Sequence, residues 1–277
     1  MAQAQTPDFA FFADLRPTLA RENDRRVVYR WYDLDGRPSV VGFRLILESG
    51  NRVTVSQRIR RVDTDADTEA LDEYFIESRG FWRLGKQYLP FGAGTILRPS
   101  ALAARVDTNL LYEDAPIKIA LADNGKGRSR GVAGRIGGNF GLSFAYGDSW
   151  GIEATDLTAF QLPKEALGRD RGYQLALGAD TTLFWRGVTV VGEYVVLRNG
   201  ESPDDKDLDL SVLRITAPLL PTRLKLTGEW ARDWTDQRDY YRFTGDVPVS
   251  RALTWHPFVR FEGTKVKDFG LVSHVRL

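Results

Sequence analysis

From Val41 almost to the last residue, apolar and polar side chains alternate one by one, and this period of two is what most restricts the fold. Val41, Phe43, Leu45 and Leu47 stand against Gly42, Arg44 and Glu48, with Ile46 the exception. Past the turn Ser49-Gly50-Asn51, Val53, Val55 and Ile59 stand against Thr54, Ser56, Arg58 and Arg60, so the two runs read as a hairpin. The same grammar returns in Phe140, Leu142, Phe144 and Tyr146, in Tyr173, Leu175, Leu177 and Ala179, in Leu224, Leu226 and Trp230, and in Trp255, Val259 and Phe261. Near 186–198 and 208–218 both faces carry apolar residues. The pattern predicts about sixteen strands (range 14–18), at 26–34, 39–49, 52–62, 72–79, 81–90, 102–112, 116–123, 129–137, 139–148, 171–183, 186–198, 207–218, 223–233, 240–249, 254–264 and 268–277.

The connections alternate as well. Long polar ones at 63–71, 91–101, 124–128, 149–170, 199–206 and 234–239 are separated by tight ones such as Ser49–Asn51, Arg79-Gly80, Gly138-Asn139 and Phe184-Trp185. An antiparallel up-and-down barrel that spans a membrane is threaded this way, with short turns at one end and longer loops at the other. No run approaches the ~18 apolar residues that a membrane helix requires.

Alternation does not say which face meets water. A soluble sandwich turns its apolar face inward; a membrane barrel turns it to lipid and keeps a polar lumen. The apolar rows carry rings with a polar edge near strand ends, including Trp31, Tyr32, Trp82, Tyr88, Tyr112, Tyr146, Trp185, Trp230, Trp234, Tyr240, Tyr241 and Trp255. Such rings suit the headgroup boundary, which favours the membrane barrel over a soluble secreted β-protein. The opposite rows mix Gly, Ser and Thr with Arg and acidic residues. With 38 Lys+Arg against 37 Asp+Glu there is no basic excess for nucleic acid, so no nucleic-acid partner is expected. The absence of cysteine removes disulfides and thiolate sites, and two histidines, His256 and His274, do not make a His-rich metal site. No metal and no cofactor are expected.

Two segments resemble known families. Phe269, Leu271, Val275 and Leu277 alternate to the final residue, which resembles the C-terminal strand of bacterial outer-membrane proteins that the barrel-assembly machinery reads. That family usually ends in an aromatic, and this chain ends in Leu277. Residues 72–92 run Asp72-Glu73-Tyr74-Phe75-Ile76-Glu77, a turn at Arg79-Gly80, then Phe81 to Gly92 closing in Leu89-Pro90-Phe91-Gly92. This is similar to a hairpin of phosphate-selective and general porins, where an acidic-plus-Tyr strand precedes a Gly-Lys/Gln strand closing in Pro-Phe-Gly. The resemblance implies a bacterial outer-membrane β-barrel of the porin type. It would be a passive water-filled channel for ions and small hydrophilic solutes, surrounded by outer-membrane lipids, with homo-oligomer formation open. Export fits Met1-Ala2-Gln3-Ala4-Gln5, whose small-x-small spacing is that found before a signal-peptidase cut, the signal peptide being removed.

Pore-lining candidates follow from the polar rows: Arg44, Arg58, Arg60, Arg105, Lys118, Arg135, Lys225, Glu229, Arg260, Glu262 and Arg276, together with Lys86, Arg223 and Arg242. The basic members outnumber the acidic ones, which predicts mild anion selectivity. Part of these charges is expected only to brace the wall as cross-strand pairs. The connection from Asp148 to Arg171 is either a surface cap or an inward constriction. Residues 1–25 are an N-terminal extension, a plug segment or an added strand, ahead of a barrel over 26–277. An enzyme is not expected. Ser273 and His274 point to opposite faces of a strand, no serine motif of the outer-membrane hydrolases follows either histidine, and no catalytic residue is assigned. The Gly-rich stretch Asn124–Gly131 lacks the Gly-Lys-Ser/Thr order of a phosphate loop and reads as a turn. The alternatives to a channel are a barrel that sheathes or anchors a partner protein and, after it, an outer-membrane hydrolase.

Overall fold

The computed structural model describes residues 8–22, 26–59, 71–78, 81–108, 116–123, 130–151, 172–200, 207–219 and 222–277, with backbone only for 148–151 and 172. Arg60, Tyr112, the Asn124–Arg128 stretch, most of the 148–171 connection and Met1–Gln5 lie outside them. The described residues form antiparallel strands, each hydrogen-bonded to its neighbours, that close on themselves.

Closure occurs where the chain's two ends meet. Strands β1 (Asp8–Leu15) and β2 (Thr18–Glu22) lie end to end beside the last strand, β18 (Lys265–Arg276). They are one wall strand interrupted at Arg16-Pro17, where proline offers no N–H to a ladder. On their other side, β3 (Val27–Arg30) and β4 (Val40–Ile46) also lie end to end. Leu277 and Ala13 exchange two backbone hydrogen bonds of 3.0 Å and complete the seam. The wall continues through β5 (Arg52–Arg58), β6 (Leu71–Ser78), β7 (Trp82–Tyr88), β8 (Ser100–Thr108), β9 (Ile117–Ala122) and β10 (Arg130–Ile136). It is completed by β11 (Phe140–Gly151), β12 (Gly172–Trp185), β13 (Val188–Gly200), β14 (Leu208–Pro218), β15 (Lys225–Asp233), β16 (Arg238–Pro248) and β17 (Leu253–Glu262). With the two split strands each counted once, this is a closed sixteen-strand up-and-down barrel. The count agrees with the sequence while its composition differs. The runs predicted at 26–34 and 39–49 share one wall position, and Asp8–Glu22 supplies the sixteenth.

The faces are inverted relative to a soluble protein. Leu142 is 63% exposed and Leu226 52%, whereas Arg260 and Arg242 are buried. Phe140, Leu142, Phe144 and Tyr146 lie in one exposed outer row, and Gly141, Ser143 and Ala145 in the inner one. Some sequence expectations fail at particular places. Lys86 pairs with Tyr74 in the same outer row as Leu84, so it does not face the lumen. Tyr240 shares the inner row of Arg242, because neighbouring Tyr240 and Tyr241 cannot both face out. Tyr173 is buried in the enclosed cluster, close to where β11 and β12 lose register between Tyr146 and Trp150. Tyr88 turns inward as the chain leaves the wall. The connection expected to be long at 234–239 is a four-residue turn, Trp234–Gln237, with Gln237 at φ 55°.

Candidate functional site in the lumen

The long polar connection expected at 91–101 runs from Leu89 to Pro99 and folds into the barrel. Leu89, Phe91, Ile96 and Leu97 are buried, and they join one apolar cluster with the inner rows of β8 to β14. Those rows are small or aliphatic: Ala101, Ala103, Ala120, Ala122, Ala133, Ala145, Ala176, Val195, Leu197, Leu210 and Val212. Small wall residues leave the space that a loop inside a barrel needs. Gly178 does the same for Phe91, whose ring would lie 3.1 Å from a Cβ there. Glu193 on β13 pins the loop tip: its Oε2 accepts from Thr95 N at 2.7 Å, from Ile96 N at 3.1 Å and from the Thr95 hydroxyl. Ser143 Oγ accepts from Gly92 N at 2.9 Å. Gly92 sits at φ 55°, and a Cβ there would meet Glu193 Oε1 at 1.7 Å, so only glycine fits the turn.

Below this loop lies a cavity of about 210 Å³ lined by Tyr88, Arg98, Arg105, Lys118 and Arg135 among others. Arg105 bonds Asp107 at 2.6 and 2.5 Å, and Arg135 bonds Asp180 at 3.0 and 2.6 Å. Lys118 stands beside Arg135 in register. Arg98 lies over the Tyr88 ring at 4.4 Å, and the Tyr88 hydroxyl donates to Asp72 at 3.0 Å. Among the described residues, Arg98 and Lys118 make no ion pair. The cavity therefore carries more positive charge than its carboxylates cancel.

A second loop, Trp31–Ser39, also leaves the wall for the lumen. Its neck is closed by Ser39 N donating to Trp31 O at 2.7 Å, and Asp33 Oδ1 accepts from the backbone N–H of Asp35 and Arg37, each at 2.9 Å. Gly36 at φ 68° makes the turn. Leu34 packs with Ala20, Phe258 and Val272. Asp33 binds Arg16 at 2.6 Å. Asp35, at the tip, reaches across to Arg214 on β14 at 2.9 Å and to Arg242 on β16 at 2.7 Å. Both arginines also bind Glu229 on β15, at 2.6 and 2.7 Å. Burial works to raise the Asp35 carboxyl. The guanidiniums of Arg242, Arg214 and Arg37 outweigh it and hold this loop residue well below the usual carboxylate range.

The other candidates from the sequence are dispersed. Arg58 pairs with Asp72 at 2.8 Å, and Arg260 with Asp268 at 2.6 Å through Nε. Arg44 lies over the Phe12 ring at 4.8 Å. Glu262 stands 3.9 Å from Arg238 at one rim, while Lys225 and Arg276 are exposed toward the other. Arg223 lies in the connection before β15. The barrel thus brings together Arg105, Lys118 and Arg135, and sets Glu229 into the Asp35 network. Arg98, Arg37 and Asp35 were missed. Their signal was the turn chemistry of Asp35-Gly36-Arg37-Pro38 between the strands read at 26–34 and 39–49, and three large apolar residues, Phe91, Ile96 and Leu97, in the connection read at 91–101.

His256 and His274 also face inward, with Nδ1 of His256 2.8 Å from Asp246 and Nε2 of His274 2.8 Å from Asp14. Ser273 lies on the opposite face, in register with Trp255.

No protein-family profile and no curated sequence matches the chain. Solved structures do match by shape. An anion-selective porin from Comamonas acidovorans superposes with a TM-score of 0.65 at 12% identity, over 98% of this chain and 99% of that one. The trimer form of OmpT, an outer-membrane protein of Vibrio cholerae, gives 0.63 at 9% identity, over 99% and 100%. The outer-membrane channel DcaP of Acinetobacter baumannii gives 0.63 at 8% identity, over 98% and 97%. At such identities the likeness speaks for the fold. The chain thus shares the fold of these outer-membrane proteins, a closed sixteen-strand antiparallel barrel.

Proposed function

We propose that this barrel is an outer-membrane channel through which ions and small hydrophilic solutes diffuse, with a preference for anions. The observation that carries the reading is what remains once the inner charges are paired. Arg58, Arg135, Arg214, Arg242 and Arg260 are each matched to a carboxylate, whereas, among the described residues, Arg98 in the Leu89–Pro99 loop and Lys118 beside it are not. Matched pairs add little net field. Unmatched cations in a narrow, low-dielectric passage set the sign of the permeant ion. The exposed apolar rows are the surface that outer-membrane lipids would cover, and the strand ending in Leu277 is the segment that the barrel-assembly machinery would read. Arg44, Arg105, Arg135, Lys225, Glu229, Glu262 and Arg276 are the further lining residues of this reading. The V. cholerae protein of like shape has a trimer form, which makes a homo-oligomer the assembly to look for here.

The test is a planar-bilayer recording across a KCl gradient, on protein whose refolding is checked by a boiled-versus-unboiled gel shift. A reversal potential of the sign set by chloride supports the proposal, and its reduction in Lys118→Gln assigns the cause. A folded barrel that carries no current would sink the channel, and a potential of the opposite sign would sink the selectivity.

A further inference from the structure

The Trp31–Ser39 loop is longer than the wall requires. Opposite it, β1 and β2 are separated by two residues, while β3 and β4, paired to the same stretch, are separated by nine. The surplus is spent inside the barrel, and it is held there at both ends. Asp33 bonds Arg16 at the neck, and Asp35 bonds Arg214 and Arg242 across the lumen. Behind the loop is a cavity of about 270 Å³ lined by Arg16, Arg37, His256, His274 and Arg276, among others. The loop therefore crosses the lumen as a strut, from one wall strand to two others, and divides what lies on either side.

Both acidic residues that the strut carries bond to wall arginines, and its one cation, Arg37, bonds to no carboxylate among the described residues. The Nε of Arg37 is buried without a hydrogen-bond partner. Arg37 lines the cavity behind the strut together with Arg16 and Arg276. An enclosed guanidinium with a buried N–H that lacks an acceptor favours an anion that supplies one. We infer that the strut is a second selectivity element, in which Asp35 is the positioning residue that holds Arg37 at the cavity behind the loop, so that permeating anions pass under the influence of both inward loops. This deepens the anion-channel reading and rests on it.

The chain has no cysteine, which permits a single-site test in the full-length barrel. Arg37→Gln breaks no ion pair and is expected to move the reversal potential toward zero at near-wild-type conductance. In Arg37→Cys, an anionic methanethiosulfonate reagent should move it further in that direction, and a cationic one should move it back. Asp35→Ala should free the strut and raise single-channel conductance roughly twofold. The boiled-versus-unboiled gel shift reports whether each variant has folded, and if Asp35→Ala does not fold, the two Arg37 variants still decide. Unchanged reversal potentials in both Arg37 variants refute the role of Arg37. Unchanged conductance in folded Asp35→Ala refutes the strut. Neither result touches the anion-channel reading, whose channel fails only if the wild type carries no current and whose selectivity fails only if the wild type selects cations.

Discussion

The two loops that enter this barrel are held by opposite physics. Leu89–Pro99 docks as a core element: Leu89, Phe91, Ile96 and Leu97 bury themselves against alanine, valine and leucine rows on β8 to β14. Trp31–Ser39 docks through charge, with Leu34 its one side chain in the small apolar cluster of Ala20, Phe258 and Val272. Asp33 and Asp35 do the rest through Arg16, Arg214 and Arg242. The inner face of a barrel is therefore not uniformly polar. Where a loop is seated on it permanently it is built as a protein interior, and elsewhere it keeps an aqueous pattern of matched ions.

Glu193→Ala should separate the two most widely. It strips the acceptor from Thr95 N, Ile96 N and the Thr95 hydroxyl, leaving buried donors at about 1–3 kcal/mol each. Thermal unfolding of the detergent-solubilised barrel should shift down clearly, and conductance should rise as the loop tip loosens. An unchanged midpoint would mean that Glu193 does not anchor the loop. Next in size, Leu97→Ala removes a fully enclosed side chain, with an expected cost of about 2–5 kcal/mol. Leu34→Ala, in the smaller cluster, should cost less, and equal losses measured on the same gel-shift melting curve would erase the contrast between greasy and ionic docking.

The sequence made the wall legible because period two is local information, repeated strand after strand and insensitive to what each strand touches. The right number of strands came out although residues 26–49 were divided at the point where the chain only detours inward, because Asp8–Glu22, broken by Pro17 and left open as an extension, a plug or an added strand, supplies the strand that this division overcounts. The lumen was less legible, since an inward loop and an outward loop share glycine, proline and polar residues. Of the cations expected in the pore, Arg105, Lys118 and Arg135 do come together. Arg58 and Arg260 are braces, a distinction that depends on Asp72 and Asp268 lying across the ladder and not on anything next to them in the chain. Arg37 and Arg98 lie in connections, where alternation has nothing to say.

Salt should distinguish the loops more gently. At ~1 M the Debye length falls to about 3 Å, which weakens ion pairs more than apolar contact. Cysteine introduced at Leu34 or at Leu97 reports loop opening through its rate of thiol labelling, since both positions are buried. Raising KCl should speed labelling at Leu34→Cys and leave Leu97→Cys unaltered or slower. The same acceleration at both sites would mean that charge does not hold the strut.

The smallest effect concerns pH, and its sign follows from Asp35. A carboxyl held below its ordinary range contributes stabilisation that is complete above the unfolded value and is lost only as pH falls through the lowered one. The Asp35 pairs should thus persist through the interval near pH 4 where ordinary carboxylates protonate. His256 and His274 line the same cavity, so the wild type is compared with Asp35→Asn at every pH, which cancels what they add. The conductance ratio of the two should stay constant between about pH 7 and pH 4. Convergence of the two on acidification within that interval would mean that Asp35 protonates like a solvated carboxyl, and that Arg214 and Arg242 do not grip it.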